Sequence, residues 1–307
     1  MTNSSNTIAR VCRIITILLF AAFLIPLVWF PLVFSGTSST PPITTPTLLG
    51  EKTALHVAPP PAGVYYLNDT PDFPLQGNAV YDIWTVEDRQ NLGLPLALPP
   101  FTPYYGEKTV YLTFDDGPTA DHTAEILAIL QSEKIKATFF VVGTQIEKNP
   151  DVLRQIFQAG HSIGNHSYNH VYKDLYRSTS TFMDQLHHTD KIIKSIIGVR
   201  PRICRAPGGT SGSFTKDYWN SLTTQGYIET GWNIDAGDAS RANAEKITAN
   251  VIHQLTKNHF LWNHTIILLH DGRANAETVK ALPNIIHYLK DQGFEFRIIN
   301  PETPPAW

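Results

Sequence analysis

The chain has 307 residues, 42% of them apolar and 17% charged, which is the composition of a globular protein. Its formal net charge of −3 excludes the strongly basic surface that a nucleic-acid partner would need. Its two cysteines, Cys12 and Cys204, exclude both a disulfide-stapled scaffold and a multi-thiolate zinc site.

An uncharged, apolar segment over residues 14–34 is the first predicted element. A helix of about 20 apolar residues crosses a bilayer. Arg10 and Arg13 precede the segment and no Lys or Arg follows before Lys52, so the positive-inside rule places residues 1–13 in the cytoplasm. A cleaved signal peptide is the alternative, but the apolar run is long and no A-x-A site follows it. We expect a single-pass signal anchor in the cell membrane with the remaining chain outside the cytoplasm, or a secreted chain if the segment is cleaved.

Two further segments precede the main predicted domain. Residues 35–62 are rich in Ser, Thr and Pro, which is typical of an extended linker. Residues 63–106 carry aromatic residues and prolines without a clear helical period, and we interpret them as a partly ordered N-terminal extension that packs on the main domain. The main domain is predicted over residues 107–301.

Short β-rich runs alternate with amphipathic helical patterns in the main domain. The predicted strands are 109–114, 137–142, 161–164, 202–205, 227–234, 265–270 and 294–299. The predicted helices are 121–133, 151–159, and segments near 180–197, 214–225, 242–258 and 275–290. Strands separated by helices indicate an α/β fold with a parallel sheet. We expect a distorted (β/α)7 TIM-like barrel, with an open doubly wound sheet as the alternative.

Polar residues with catalytic potential follow five of the predicted strands. They are Asp115 and Asp116 after the first strand, His166 and His170 after the third, Arg205 at the end of the fourth, Asp235 and Asp238 after the fifth, and His270 at the end of the sixth. Active sites of parallel α/β barrels lie at the carboxyl ends of the strands. The pattern therefore predicts one active site at that end of the barrel.

The stretch HSYNH, residues 166–170, offers two imidazoles at i and i+4, which lie on one side if the segment turns helically. This spacing is common at metal sites, but on its own it also fits two surface histidines. No Glu lies between the histidines, so a general base has to come from elsewhere. One carboxylate of the Asp115–Asp116 pair can complete a three-ligand metal site, and the other is then free to take a proton from water.

Six stretches together resemble the NodB-homology polysaccharide deacetylases, carbohydrate esterase family 4. They are TFDDGP (113–118), ATFFVVG (137–143), HSYNH (166–170), RAPGG (205–209), WNIDAGD (232–238) and LLH (268–270). Five of them are similar to the family's five motifs and occur in the same order. The resemblance covers roughly residues 108–301 and implies the barrel fold of that family.

The resemblance implies roles for the residues around the metal. Asp115 would be the general base, and Asp116, His166 and His170 would hold one divalent ion. Zinc is the expected ion, with cobalt or another divalent ion as alternatives. Arg205 would pair with Asp115 and keep it ionised, because an adjacent cation lowers the pKa of a carboxylate.

The resemblance also implies the second half of the reaction. His270 would be the general acid that protonates the leaving amine. Asp235 would orient His270, with Asp238 as a further support. The backbone N–H of Gly208 would donate a hydrogen bond to the developing oxyanion. Trp232 would either form an apolar wall of the sugar groove or be an ordinary aromatic residue of the core.

Two positions depart from the family pattern. The third motif usually has an aromatic residue where this chain has Gly208, and the fourth usually ends in Asp-Trp where Ala239 follows Asp238. A backbone donor needs no side chain, so these changes bear on substrate preference more than on chemistry.

The resemblance implies a metal-dependent N-deacetylase of a polysaccharide. Peptidoglycan N-acetylglucosamine is the expected substrate, because the predicted anchor and linker keep the domain beside the cell's own wall. Chitooligosaccharide, exopolysaccharide and acetyl-xylan are alternatives, and a catalytically inactive wall-binding module is the non-enzyme alternative. We expect a membrane and a glycan as partners, and neither a nucleic acid nor an obligate protein partner.

Overall fold

A parallel sheet flanked by helices organises the protein in a computed structural model that describes residues 64–67 and 75–307. The strands in this range are β1 (Val64–Tyr66), β2 (Ala79–Asp82), β3 (Thr109–Asp115), β4 (Thr138–Val141), β5 (Ser162–Asn165), β6 (Arg200–Pro201), β7 (Ile203–Cys204), β8 (Ile228–Glu229), β9 (Ile234–Asp235), β10 (Thr265–His270) and β11 (Glu295–Arg297). The α-helices in this range are α1 (Val86–Asn91), α2 (His122–Ser132), α3 (Gly143–Lys148), α4 (Pro150–Gln158), α5 (Tyr172–Leu175), α6 (Thr179–Ile197), α7 (Lys216–Thr224), α8 (Ala244–Lys257) and α9 (Ala276–Asp291).

The predicted cytoplasmic tail, membrane segment and linker, residues 1–62, lie outside the described residues. From residue 64 onward, none of the described helices is long and apolar enough to cross a membrane. The described residues all belong to one compact unit, Thr53–Trp307.

The main sheet runs in the order β8-β7-β5-β4-β3-β10-β9, and all its pairings are parallel. The α/β architecture and the parallel sheet are therefore as predicted. The barrel is incomplete, because β8 and β9 are not hydrogen-bonded to each other and form the two edges of the sheet.

The predicted fifth strand, 227–234, is wrong as a single element. The structure divides it into β8, which pairs with β7, and β9, which pairs with β10 at the opposite edge of the sheet. The chain crosses the gap between the edges over residues 230–233. Thr230 N still donates to Cys204 O at 2.9 Å, and Asn233 N already donates to Ile266 O at 3.1 Å.

The last strand also departs from a regular barrel. β11 pairs with the first half of β3, and β4 pairs with the second half. Since β10 pairs with β3 along nearly its whole length, β4 and β11 must share the other edge of β3. The register of β10 and β3 sets His270 beside Asp115.

Side chains of β3 alternate between two cores, as the two-residue period of a strand requires. Val110, Leu112 and Phe114 pack into the main core that the helices cover. Tyr111 belongs to a separate cluster on the inner face of the sheet. Asp115 lies four residues beyond Tyr111 and so continues the inner face.

The same period brings other polar residues to this face. Ile203 and Ile266 belong to the inner cluster with Tyr111. Arg205 lies two residues beyond Ile203, and His270 lies four residues beyond Ile266. Because the strands are parallel, their carboxyl ends meet at one end of the sheet, and the polar residues meet there too.

The helices between the strands fall where the sequence predicts them. The predicted helix over 121–133 corresponds to α2 and that over 151–159 to α4, and the later four correspond to α6, α7, α8 and α9. Helix α1 lies in the extension where the sequence shows no clear helical period. Its N-cap is a capping box, in which Thr85 and Asp88 bond each other's backbone N–H.

The extension joins the sheet through a buried charge cluster. Asp82 at the end of β2 accepts from Arg89 Nε at 2.7 Å and from Arg200 Nη2 at 3.1 Å, and it also pairs with Arg202. All four side chains are at most 3% exposed, so this cluster is part of the protein interior. Arg200 in turn pairs with Asp190 of α6 at 3.1 Å.

Candidate active site

The two carboxylates at the end of β3 lie in different environments. Asp115 is 3% exposed on the inner face of the sheet. Asp116 follows with φ at 79°, in the left-handed region that non-glycine residues rarely adopt. The backbone therefore turns between the two residues, and Asp116 faces the two histidines of the loop after β5.

Asp116, His166 and His170 form a cluster whose ligand atoms all lie within 4.8 Å of one another. Asp116 Oδ1 lies 3.2 Å from His170 Nε2 and 3.7 Å from His166 Nε2. Zinc bonds of 2.0–2.2 Å place tetrahedral neighbours about 3.5 Å apart. The spacing of these atoms therefore suits one divalent cation.

Two further observations fit a metal at this cluster. Asp116 Oδ1 is buried and has no hydrogen-bond partner among the described residues, which is costly unless a cation binds there. His166 Nδ1 lies 2.8 Å from Arg205 O, which can only accept, so Nδ1 carries the hydrogen and Nε2 presents its lone pair. Burial lowers the pKa of His166 to about 3, which keeps the imidazole neutral.

Residues 166–170 do not form the helical turn that would place His166 and His170 on one side by their spacing alone. The segment is an irregular loop in which Ser167 and His170 have positive φ values of 69° and 57°. Asn165 holds the start of the loop, because its Oδ1 accepts from Ser167 N at 3.1 Å and its Nδ2 donates to Asp190 Oδ1 at 2.7 Å. The two imidazoles thus converge through a turn that Asn165 stabilises.

Arg205 connects the base to the crossing segment. Its Nη1 donates to Asp115 Oδ1 at 2.9 Å and to Thr113 Oγ1 at 2.7 Å. Its Nε and Nη2 donate to the carbonyls of Thr230 and Gly231, at 2.8 and 2.9 Å. Arg205 therefore links β3 to the segment that crosses the gap between β8 and β9.

Arg205 pairs with Asp115 and lowers its pKa as expected, but the net shift in the pKa of Asp115 is upward. Burial is the larger influence and raises the pKa of Asp115, while the charge of Arg205 opposes that shift. Arg205 occupies Asp115 Oδ1, so Oδ2 is the carboxylate oxygen left for proton transfer. Oδ2 lies 3.6 Å from His166 Nε2, beside the metal cluster.

The structure corrects the predicted partner of His270. Asp238, not Asp235, contacts the imidazole, with 2.8 Å between Asp238 Oδ1 and His270 Nδ1. Asp238 Oδ2 also accepts from His270 N and from Thr278 Oγ1, each at 2.7 Å. Asp235 is exposed and accepts from Gly237 N at 2.7 Å. The left-handed turn at Gly237, with φ at 74°, lets Asp238 fold back beneath His270.

The charge state of His270 follows from these contacts. Burial alone would lower the pKa of His270. The hydrogen bond and charge of Asp238, together with the charges of Asp115 and Asp116, outweigh burial and raise the pKa to about 9. His270 is therefore protonated at neutral pH and able to donate a proton.

Gly208 and Trp232 lie at the rim of the same site. Gly208 is exposed, and its N–H makes no hydrogen bond with any described residue, so it is available to a ligand. A Cβ built on Gly209 would lie 3.0 Å from the Trp232 ring. Trp232 is half-buried and packs against the inner cluster, so it is both a core aromatic and a wall beside Gly209.

Sequence reasoning missed some residues that hold the site. Asp271 is 1% exposed, accepts from Thr123 Oγ1 at 2.5 Å and packs against Gly117 in the turn after Asp116. Its position directly after His270 could have marked Asp271 as part of the site. Thr113, which binds Arg205, and Thr278, which binds Asp238, carry no signal in a single sequence because buried threonines are common in strands and helices.

A histidine–aspartate cluster beside a buried carboxylate and a carboxylate-supported histidine is the arrangement of a metal-dependent hydrolase. Comparison with known proteins agrees with this class. A family model described as polysaccharide deacetylase matches residues 103–229. A peptidoglycan-N-acetylglucosamine deacetylase of Bacillus cereus is 32% identical over 202 residues, which cover 64% of this chain and 71% of that protein.

Two more similarities extend the comparison. A chitooligosaccharide deacetylase of a Bradyrhizobium species is 31% identical over 204 residues, covering 62% of this chain and 88% of that protein. The crystal structure of the polysaccharide deacetylase Bc1974 from Bacillus cereus aligns with a TM-score of 0.59 at 32% identity, covering 64% of this chain and 94% of that one. The chain therefore belongs to the polysaccharide deacetylase family, carbohydrate esterase family 4, and is a hydrolase of this metal-dependent family.

Proposed function

We propose that the protein removes acetyl groups from N-acetylglucosamine residues of peptidoglycan, outside the cytoplasm, and releases acetate. The observation that carries the proposal is the meeting of Asp115, Asp116, His166, His170 and His270 at one end of the sheet. Hydrolysis of an amide needs a proton acceptor for the attacking water and a proton donor for the leaving amine. Asp115 and His270 fit these two roles.

Asp116, His166 and His170 would hold the divalent cation. Zinc suits one carboxylate and two neutral imidazoles, and the identity of the ion is part of the proposal. Bound there, the cation would polarise the acetyl carbonyl and make a water molecule more acidic. Arg205 O keeps Nε2 of His166 turned toward that position.

Asp115 would take the proton of the attacking water on Oδ2. Arg205 holds Oδ1 and fixes the plane of the carboxylate. Gly208 N–H would donate to the carbonyl oxygen as negative charge develops on it. As the C–N bond breaks, His270 would give a proton to the amine, and Asp238 would stabilise the imidazolium until then.

The choice of peptidoglycan is supported by the sequence and by one relative. The Bacillus cereus relative is named for peptidoglycan N-acetylglucosamine, and the predicted anchor at residues 14–34 would keep the enzyme beside the wall. Chitooligosaccharide is the second candidate, because the Bradyrhizobium relative is named for it. Membership of a hydrolase family favours either activity over a wall-binding module.

Acetate release tests the proposal. Full-length protein would be assayed in detergent against purified peptidoglycan, chitooligosaccharides and acetyl-xylan, with and without a chelator. We expect release from peptidoglycan to exceed release from the other two, to stop with chelator and to return with added zinc. Equal or greater release from chitooligosaccharides would make chitooligosaccharide the assigned substrate. No release from any of the three glycans would contradict the proposal.

A further inference from the structure

The space that a side chain at position 208 would use is already filled. Gly208 has φ at 72°, and a Cβ built on it would lie 2.8 Å from the Tyr172 hydroxyl and 3.1 Å from Tyr172 Cζ. Tyr172 comes from a different loop, at the start of α5 and two residues after His170. This chain therefore has an aromatic side chain beside position 208, where the family pattern has one on position 208 itself.

Tyr172 lies next to the metal cluster and is open to solvent. Its ring centre is 5.4 Å from that of His170, and the residue is 52% exposed. The Tyr172 hydroxyl makes no hydrogen bond with any described residue. An exposed aromatic ring with a free polar tip is suited to a ligand that has both an apolar face and hydroxyl groups.

Tyr172 is supported from behind, so its position is well defined. Its ring contacts Tyr176 edge-on, with 6.1 Å between the ring centres. The Tyr176 hydroxyl donates to Pro207 O at 2.6 Å, directly before Gly208. Tyr176 thereby ties the Tyr172 loop to the Gly208–Gly209 loop, and both loops line one slot.

The slot has an aromatic residue on each side. Tyr172 lies against Gly208, and Trp232 lies against Gly209. The backbone of exposed Gly208 and half-buried Gly209 runs between them. A pyranose ring presents apolar C–H groups on its faces and hydroxyls at its edge, which match such walls and floor.

We propose that Tyr172 is a substrate-binding residue that stacks on the sugar ring carrying the acetamide group and hydrogen-bonds a sugar hydroxyl through its phenol. The inference rests on the proposed function, because it takes an N-acetylated glycan as the substrate. It assigns the groove wall to the loop after β5 and explains how the chain functions with glycine at position 208.

Steady-state kinetics on chitotetraose test the assignment. Tyr172→Ala should raise KM on the order of tenfold and leave kcat within about twofold, because stacking contributes to binding more than to the bond-breaking step. Tyr172→Phe keeps the ring and should raise KM by no more than about threefold. Tyr105→Ala is the matched control, since Tyr105 is 55% exposed but packs on His264, at the opposite end of β10 from His270.

Metal content is measured on every variant, because Tyr172 also contacts a predicted ligand. Unchanged metal content with raised KM in Tyr172→Ala alone supports the proposal. An unchanged KM overturns it, and so does a loss of activity that only follows a loss of metal, since Tyr172 would then merely support His170.

Failure of the proposed function gives a different result. If the wild-type protein releases no acetate from any glycan, the binding of chitotetraose is compared by calorimetry. Tighter binding to wild type than to Tyr172→Ala still supports Tyr172 as a sugar-binding residue. Equal binding, or none to either protein, overturns it.

Discussion

Adjacent like charges are tolerated at the end of β3 because the two side chains leave the backbone in different directions. Asp115 continues the inner face of the strand and meets a guanidinium. Asp116 follows in a left-handed conformation and meets two imidazoles. The repulsion expected between neighbouring carboxylates is therefore offset by separate partners, one of them a proposed cation.

The first prediction separates these two residues. Asp116→Ala should lose most bound metal and all measurable acetate release, because it removes one of the three proposed ligands. Asp115→Asn should keep the metal and lose at least about 100-fold in kcat, because an amide cannot accept the proton. Metal analysis and acetate assays on the same preparations check both, and near-normal turnover of Asp115→Asn would refute its role as the base.

The second prediction concerns pH. The proton donor must be protonated, so activity should fall as pH rises through the pKa of His270, which is raised to about 9. Asp238→Asn removes the negative charge that is hydrogen-bonded to His270. The alkaline limb of the pH profile of kcat should then shift to lower pH by at least about one unit. Asp235→Asn should leave that limb in place, because Asp235 is exposed and bonds Gly237. An equal shift in both variants would contradict the assignment to Asp238.

Which aspartate supports His270 could not be read from WNIDAGD. Two acids three residues apart are both plausible, and the choice depends on the turn at Gly237 that buries the second one. The proposed base and metal ligands could be predicted from the sequence, because two acids and two histidines at strand ends have few other uses. Tyr172 was not, since its role depends on the space left by a glycine 36 positions later.

At the scale of elements, strand positions could be predicted but strand pairing could not. The run YIETGWNI, residues 227–234, has a continuous β pattern, and nothing local shows that its halves join opposite edges of the sheet. Similarly, the sequence of residues 75–98 shows no helical or strand period in its apolar residues. Their attachment includes the pairing of β2 with β6 and the contacts of Asp82, a single acid whose arginine partners Arg200 and Arg202 lie over a hundred residues away.

The third prediction tests that attachment. Asp82→Asn should lower the free energy of unfolding by about 3–5 kcal/mol, because it removes the buried negative charge that Arg89, Arg200 and Arg202 share. Burial opposes ionisation, but Arg89, Arg200 and Arg202 outweigh it and lower the pKa of Asp82. The stabilisation is thus present above the ordinary pKa and lost only as pH falls through the lowered one, so the difference should be constant between about pH 5 and about pH 8.

Denaturant unfolding measures this difference. The control is Asp151→Asn, which removes an exposed pair with Arg154 and should cost less than about 1 kcal/mol. If the two substitutions cost the same, the cluster around Asp82 does not hold the extension to the sheet.

For the whole molecule, location remains a proposal drawn from residues 1–62. The fourth prediction is that full-length protein sediments with membranes and resists extraction at high salt and high pH. A variant lacking residues 1–34 should appear in the soluble fraction, because the apolar segment is removed. Recovery of the full-length chain in the soluble fraction at its full mass would contradict the anchor.

The pairing of β3 with β10 has a consequence for how such an enzyme can diversify. Asp115 and His270 are opposite each other in the ladder, so one inter-strand spacing of about 4.8 Å sets the distance between the start points of the two side chains. The ladder's hydrogen bonds fix this distance, and a slip of one residue would turn His270 to the outer face. Changes in the loops at the carboxyl end of the sheet can therefore alter which glycan is recognised. The distance between the proton acceptor Asp115 and the proton donor His270 would stay the same.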